Sequence, residues 1–397
     1  MQTINRTIFA SIKLALADDR IIVITGMRRV GKTTTLRWLL DQVPSANKVF
    51  LDLERLDQRA VFQESNYEAA FAYLCSLGLD PNQPMTVALD EIQNASNLPS
   101  VVKYLYDHHG IKFLLTGSSS YYLKHFFSES MAGRKVVFEM FPLGFGEFLD
   151  FKGIPYRRRI SFSDMRFDKH EYARLDSFYK EFITFGGLPN VVLAPKPDTK
   201  REILNDIFSS YINIDVQAMA DFRKIGELQQ LLKALAMRMG NKLDYTKLSQ
   251  IVGISRPTLN EYLEFLEKTY VIYRLPAYTS PDRSIALGKK LYFRDNGIAS
   301  ILAHPGEGAL FENAVFNQLR EYGDLRYLAK GNDYEVDFIL TPPEGSAVGL
   351  EAKHTPLEGD VRKLERICRD YDIQTSWLIG SQPAPGFAEF VWGGSIL

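Results

Sequence analysis

The chain has 397 residues and a formal net charge of −1, with 46% apolar and 24% charged residues. That is the mix of an ordinary globular protein, long enough for two or three domains and able to bury a core without staples. Near-neutral charge excludes a polycation, so any nucleic-acid binding must come from local patches. Two cysteines, Cys75 and Cys368, and six scattered histidines exclude a disulfide framework and a Cys/His zinc site, and they fit a reducing cytosol.

In chain order, helical spacing over about residues 4–17 reads as an amphipathic helix rather than a signal peptide, because Lys13 interrupts the apolar run. No stretch approaches the length of a membrane span. Ile21 to Thr25 is too short for a buried helix and reads as a central strand. After a loop and a helix come strands over 47–53, 85–89 and 111–116, with helices over 66–78 and 98–109 between them. Strands alternating with helices predict an α/β fold, a mostly parallel sheet with helices on both faces.

Past about residue 145 the pattern changes, and 168–240 reads as mainly helical, broken at Gly186-Gly187-Leu188-Pro189 and Pro195-Lys196-Pro197. Two helices follow over 246–269, then two short runs, 271–275 and 290–293, that pair as a hairpin. From 307 the order is a helix (311–322), three strands (325–329, 334–341, 347–352), a helix (358–370) and a strand (375–379). The domain reading is 1–145 for a nucleotide-binding core, 146–225 for a helical lid or linker, 226–303 for a helix-turn-helix domain and 304–397 for a small α/β domain.

Gly26-Met27-Arg28-Arg29-Val30-Gly31-Lys32-Thr33 fits G-x-x-x-x-G-K-[S/T]. The glycines let the backbone turn and aim its N–H groups at phosphate oxygens. Lys32 sets a point charge against the β- and γ-phosphates, and the Thr33 hydroxyl ligates Mg²⁺. Arg29, Val30, Gly31 and Thr34 complete the predicted ATP cradle with Gly26. Chance gives such a match in about one chain in a hundred of this length, and the strand before and helix after lower that further. Val87-Ala88-Leu89-Asp90-Glu91 is an apolar strand ending in two acids. Asp90 suits support of the Mg²⁺, and Glu91 suits the general base that polarises water. Alone the pair would read as a surface turn; the upstream phosphate loop decides otherwise. Phe113 to Ser120 ends a strand in small polar residues, where Thr116 or Ser118 suits a γ-phosphate sensor and a serine-rich turn is the competing reading. Arg134, in Ala132-Gly133-Arg134, is either a finger completing a neighbour's site or a surface arginine.

These residues resemble the AAA+-like P-loop ATPases of bacteria and archaea that carry a C-terminal nuclease-like domain of unknown function. The resemblance runs nearly the full length. Its further marks are Leu115 to Ser119, Phe141-Pro142-Leu143, Glu147-Phe148-Leu149, Gly186 to Pro189, Phe311-Glu312-Asn313, Glu335 to Phe338 and Leu350 to Lys353. It implies a P-loop NTPase core, a winged-helix middle and a C-terminal fold similar to PD-(D/E)XK nucleases. Typical AAA+ sensors carry Asn where this strand ends in Thr and Ser.

Asp244 to Leu266 reads as helix-turn-helix, with Ser255 capping the second helix, Pro257 in its first turn and Leu259, Tyr262, Leu263 and Leu266 facing the core. That leaves Arg256, Thr258, Asn260 and Glu261 toward solvent or DNA, while Glu261 and Glu264 oppose phosphates; a protein-docking module or lid is the alternative. Arg157-Arg158-Arg159 is either a phosphate grip or a solvated loop. Asp337 and, thirteen residues further on, Glu351-Ala352-Lys353 suit a shared Mg²⁺ with Lys353 stabilising phosphate charge. Glu312 adds a third acid, Asp333 lies nearby, and Glu335 falls on the face of Asp337. A fold that binds without cutting is the alternative. Three functions stand: a ring-forming, hexameric ATP-driven motor on duplex or branched DNA such as Holliday-type junctions; a Mg²⁺-dependent nuclease gated by ATP; and a nucleotide switch controlling assembly and partner binding.

Overall fold

The computed structural model describes residues 4–118, 133–159, 164–165, 167–216, 225–280, 287–330, 334–384, 386 and 389–397. Ser119, Ser120, Ala132 and Asp333 lie outside them. Contacts divide the chain into two compact units, Met1–Phe141 with Lys268–Tyr270, and Pro142–Glu267 with Val271–Leu397. No helix among the described residues is long and apolar enough to cross a membrane.

The first unit is built on five parallel strands, β1 (Ile21–Gly26), β2 (Lys48–Asp52), β3 (Thr86–Asp90), β4 (Lys112–Gly117) and β5 (Lys135–Met140), in the order β2-β3-β4-β1-β5. β1 and β3 are buried at every residue, as sheets covered on both faces require. Leu98, Val101, Val102 and Leu105 of the helix Leu98–His109, with Ala70 and Leu74 of Tyr67–Ser76, cover one face through Val23, Val87, Leu89, Phe113 and Leu115. The helix Lys32–Asp41 packs on β1, β3 and β4, and Phe9 of the helix Ile8–Leu14 stacks on its Trp38 at 4.0 Å. The expected sheet with helices on both faces is present. β5 was not foreseen: its alternating burial marks a half-covered edge strand, and its charged Lys135 and Glu139 hide it from an apolar-run reading.

In the second unit, β6 (Ile272–Leu275) and β7 (Lys290–Phe293) pair antiparallel after the helices Ile225–Ala236, Tyr245–Val252 and Arg256–Lys268. The Ser255 hydroxyl accepts the Thr258 N–H at 3.2 Å as the expected cap, and Leu259, Tyr262, Leu263 and Leu266 are buried. A second sheet orders β12-β11-β10-β9-β8, namely Phe390–Trp392, Thr375–Gly380, Val348–Lys353, Tyr334–Thr341 and Asp324–Lys330. β8, β9 and β10 run antiparallel; β10, β11 and β12 run parallel. The helix Glu307–Leu319 packs on β10, and Glu358–Arg369 packs on β9, β10 and β11, so this separate small sheet also has two covered faces.

The Gly186-Gly187 break is a clasp. A side chain on Gly187 would meet the Leu143 carbonyl oxygen at 2.1 Å. The Gly187 N–H donates to Asp295 Oδ2 at 2.8 Å, and the Ile298 N–H donates to Oδ1 at 3.1 Å. Burial pushes the Asp295 carboxyl up to about 6 against the offsetting amides. A folded value above the unfolded one means that its contribution is full below about pH 4 and is lost as pH rises through about 6, by roughly 3 kcal/mol. The expected outcome is that stability relative to Asp295→Asn falls by roughly 2 kcal/mol between pH 4.5 and 7.5 in denaturant titrations, the window opening just above the unfolded value. Parallel curves would refute it.

Candidate functional site

The loop Gly26–Gly31 connects β1 to the helix that begins at Lys32. Its backbone demands glycine where glycine stands. Gly26 has φ +154° and a Cβ there would meet the Met140 carbonyl oxygen at 2.1 Å; Gly31 has φ +101°. Arg29 sits left-handed at φ 66°. The loop is also tied from outside. Arg6 Nη1 donates to the Val30 carbonyl at 3.0 Å and Nη2 to the Phe141 carbonyl at 2.8 Å. Val30 is buried, Thr33 half-buried and Thr34 exposed in the first helical turn.

Lys32 is 4% exposed, and its ammonium donates to the carbonyls of Gly26 and Met27, both at 3.1 Å. The strand order places β4 between β1 and β3, so Thr116 lies beside the Asp90 end of β3. The Thr116 hydroxyl donates to Asp90 Oδ1 and accepts the Glu91 N–H at 3.2 Å. Burial raises the Asp90 carboxyl above the ordinary range, and the hydroxyls of Thr116 and then Thr33 beside it oppose that rise. Thr33 and Asp90, expected to share Mg²⁺, are therefore neighbours. A hydroxyl and a carboxylate at a phosphate-loop lysine are donors that suit this hard cation.

Glu91 adopts φ 53°. Gln93 Nε2 donates to its carboxylate and to Ser118 Oγ at 3.0 Å, and the Ser118 N–H donates to Gln93 Oε1 at 3.4 Å. Gln93 thus bridges the predicted base and the predicted sensor. Sequence reasoning passed over it, although an amide two residues beyond the acid was in view. It also missed Glu54, whose carboxyl is raised by burial and then by Glu91, with Arg28 at 3.8 Å opposing. Tyr270 was missed too: at φ 61° it donates to Thr25 Oγ1 and Glu139 Oε1, both at 3.3 Å. Three of the four non-glycine positive-φ residues among those described, Arg29, Glu91 and Tyr270, surround this loop. Strain of this kind concentrates at working sites.

Arg134 is elsewhere. Its carbonyl accepts the Ile21 N–H at 2.8 Å, at the opposite end of β1 from the loop, and its Nε donates to Asp107 at 2.9 Å. Six residues of strand put it about 16 Å from its own phosphate loop. The Arg157–Arg159 run is not one grip: Arg159 is paired with Glu171 in the interior and Arg158 reaches Asp150 at 3.3 Å.

In the second unit Glu312, Asp337 and Glu351 do converge. The Asp337 N–H donates to Glu351 Oε2 at 3.2 Å, the Ala352 N–H donates to Asp337 Oδ2 at 3.1 Å, and Lys353 pairs with Glu351 at 2.7 Å. Burial, then the Asp337 charge, pushes Glu312 and Glu351 up to about 7. An unforeseen lysine lies among them. Lys290 Nζ is 3.2 Å from Glu312, 2.9 Å from Glu335 and 3.0 Å from Asp337. Among the described residues no group of three or more His, Cys, Asp or Glu side chains is arranged to hold a metal. The expected Mg²⁺ set therefore does not fit the ion in this arrangement. The signal was a lysine heading an otherwise apolar strand, Lys290-Leu291-Tyr292-Phe293.

Residues 18–149 match the AAA domain. With the loop and strand order above, this segment has the P-loop NTPase fold and is AAA+-like. Residues 177–307 match a domain of unknown function, DUF8612, and 307–383 another, DUF4143. An uncharacterized protein of Methanocaldococcus jannaschii is 28% identical over 94% of this chain and 83% of its own length. One of Haemophilus influenzae is 26% identical over 81% and 79%. Among solved structures, the RuvB Holliday junction branch migration motor of Thermotoga maritima has a TM-score of 0.33 and 16% identity, covering 69% of this chain and 90% of that one. AMPPCP-bound DnaA from Aquifex aeolicus has a TM-score of 0.27 and 14% identity, covering 67% and 89%.

Thr116→Val tests the bridge between β3 and β4. It leaves a buried carboxylate oxygen and the Glu91 N–H without their partner, a loss of roughly 1–3 kcal/mol in the first unit's stability. Unchanged denaturation midpoints would show that the bridge contributes nothing.

Proposed function

We propose that this chain is an ATP-driven DNA motor: a ring-forming, hexameric ATPase that hydrolyses Mg-ATP and acts on duplex or branched DNA, including Holliday-type junctions. The observation that supports it most is the meeting of Lys32, Thr33 and Asp90 at the C-terminal ends of the parallel strands, with Glu91 the next residue on. Lys32 exchanges two backbone carbonyls for β- and γ-phosphate oxygens without leaving the loop, so its charge is already in position. Thr33 and Asp90 are the groups that hold Mg²⁺. When bound, Mg²⁺ would neutralise phosphate charge and stabilise the ADP that leaves as the γ-phosphoryl group passes to water. The Glu91 carboxylate accepts the proton of the attacking water. Gln93 sets its direction, and through Ser118 ties it to the end of β4.

Arg134 is too far from its own loop to touch the γ-phosphate, which favours service to a neighbouring copy and therefore a ring. The DNA part of the reading draws on the helix Arg256–Lys268, whose start leaves Arg256 and Asn260 exposed, where a recognition helix presents its side chains. The helix-turn-helix and the following β6-β7 ribbon are read as a winged helix, and the C-terminal sheet as the nuclease-like fold.

Lys32→Ala abolishes ATP turnover, while Glu91→Gln retains ATP binding and slows hydrolysis ~10²-fold or more; wild-type rates in either variant contradict the site. Mixing Arg134→Ala with Lys32→Ala restores part of the activity that each lacks, since one copy keeps an intact loop and the other an intact arginine. An additive, inactive mixture places Arg134 outside catalysis. Turnover rises on adding duplex or four-way-junction DNA, and no response to any DNA structure removes the motor reading.

A further inference from the structure

The carboxylate corner of the second unit has the residues for a cation and is filled by one of the chain's own. Lys290 is 1% exposed, and its ammonium touches Glu312, Glu335 and Asp337 within 3.2 Å. Three carboxylates gathered around one point repel each other unless a positive charge lies between them. In a metal-dependent nuclease that charge is a divalent ion, which draws its ligands to about 2.0–2.1 Å in the case of Mg²⁺. Here the separations are those of N–H···O bonds: the ammonium donates to Glu312 and Asp337, and Glu335 pairs with it at 2.9 Å. Burial alone would pull the Lys290 ammonium down; Asp337, Tyr292, Glu312 and Glu335 outweigh it and hold it well above the ordinary lysine range.

We infer that Lys290 permanently takes the position a divalent cation would need, so that this corner is a closed joint rather than a metal-dependent cleavage site. What it joins follows from where Lys290 sits. It opens β7, the second strand of the β6-β7 ribbon, whereas Glu335 and Asp337 lie on β9 and Glu312 on the helix Glu307–Leu319. The same seam is closed by further bonds. The Tyr292 hydroxyl donates to Glu312 at 2.7 Å and Lys242 pairs with Glu335 at 3.0 Å. The Phe293 N–H donates to Asn313 Oδ1 at 2.8 Å, and the amides of Asn313 and Asn317 donate to the Phe293 carbonyl at 2.9 and 2.8 Å. The corner thus locks the ribbon behind the helix-turn-helix to the C-terminal sheet. It does so without a dissociable ion, and chelation leaves the joint intact. The inference is independent of ATP turnover.

The test is Mn²⁺ binding, by titration calorimetry and thermal unfolding, on full-length nucleotide-free protein carrying Asp90→Asn to silence the phosphate loop. With Lys290 present, no Mn²⁺ binds at the corner, and the unfolding temperature responds to Mn²⁺ as it does after the further change Asp337→Asn. Lys290→Met lowers the unfolding temperature. Mn²⁺ then restores it, by roughly 5 °C at about 100-fold excess over the dissociation constant, because the ion binds only the folded corner. Stoichiometric Mn²⁺ binding with Lys290 present that Asp337→Asn abolishes overturns the inference. So does a Lys290→Met protein that is folded, as stable as its parent and indifferent to Mn²⁺. Should Lys290→Met not fold, the comparison with and without Asp337→Asn decides alone.

Discussion

The whole candidate site depends on how closely β1 and β5 approach at one point. Gly26 has no side chain, so the end of β1 lies against the Met140 carbonyl, a contact that a Cβ would bring to 2.1 Å. That approach starts the loop in a conformation few other residues tolerate. Arg6 then spans from the Val30 carbonyl to Phe141, the residue following Met140. A loop fixed at both ends presents its amides without further ordering, so phosphate binding loses little conformational entropy.

The second constraint is the strand order. Placing β4 between β1 and β3 puts Thr116 against Asp90 and Ser118 against Gln93, so the strand ends around the candidate site are tied to one another. Glu91 lies in this wiring with a left-handed backbone. Its carboxylate leaves the strand axis and is directed by Gln93. The strand that ends in Thr116 and Ser118 meets the acid-tipped strand through their two hydroxyls and the Gln93 amide.

Much of this was legible in the sequence. The phosphate loop, the acid-tipped strand and the alternation of strands with helices follow from residue spacing, because each is a local pattern. The capped helix at Ser255 and the ribbon after it are local too. What was not legible is the long-range pairing of charges. Arg6 finds Val30 and Phe141 across the fold, and Lys290 finds acids 22, 45 and 47 residues away. The spacing of Asp337 and Glu351 suggested a metal, since carboxylates brought together need a cation. The sequence does not say that the cation is a lysine from another strand. Edge strand β5 was hidden for a related reason: half exposed, it lacks the apolar run that marks β1 and β3.

The measurement that bears most directly on the account is a structure with Mg²⁺ and a non-hydrolysable ATP analogue. The triphosphate should lie along residues 26–33. Lys32 Nζ should have moved from the Gly26 and Met27 carbonyls to phosphate oxygens, and Mg²⁺ should lie between the Thr33 hydroxyl and the Asp90 side. A nucleotide bound elsewhere, or one at the loop with Lys32 still on its two carbonyls, would contradict it.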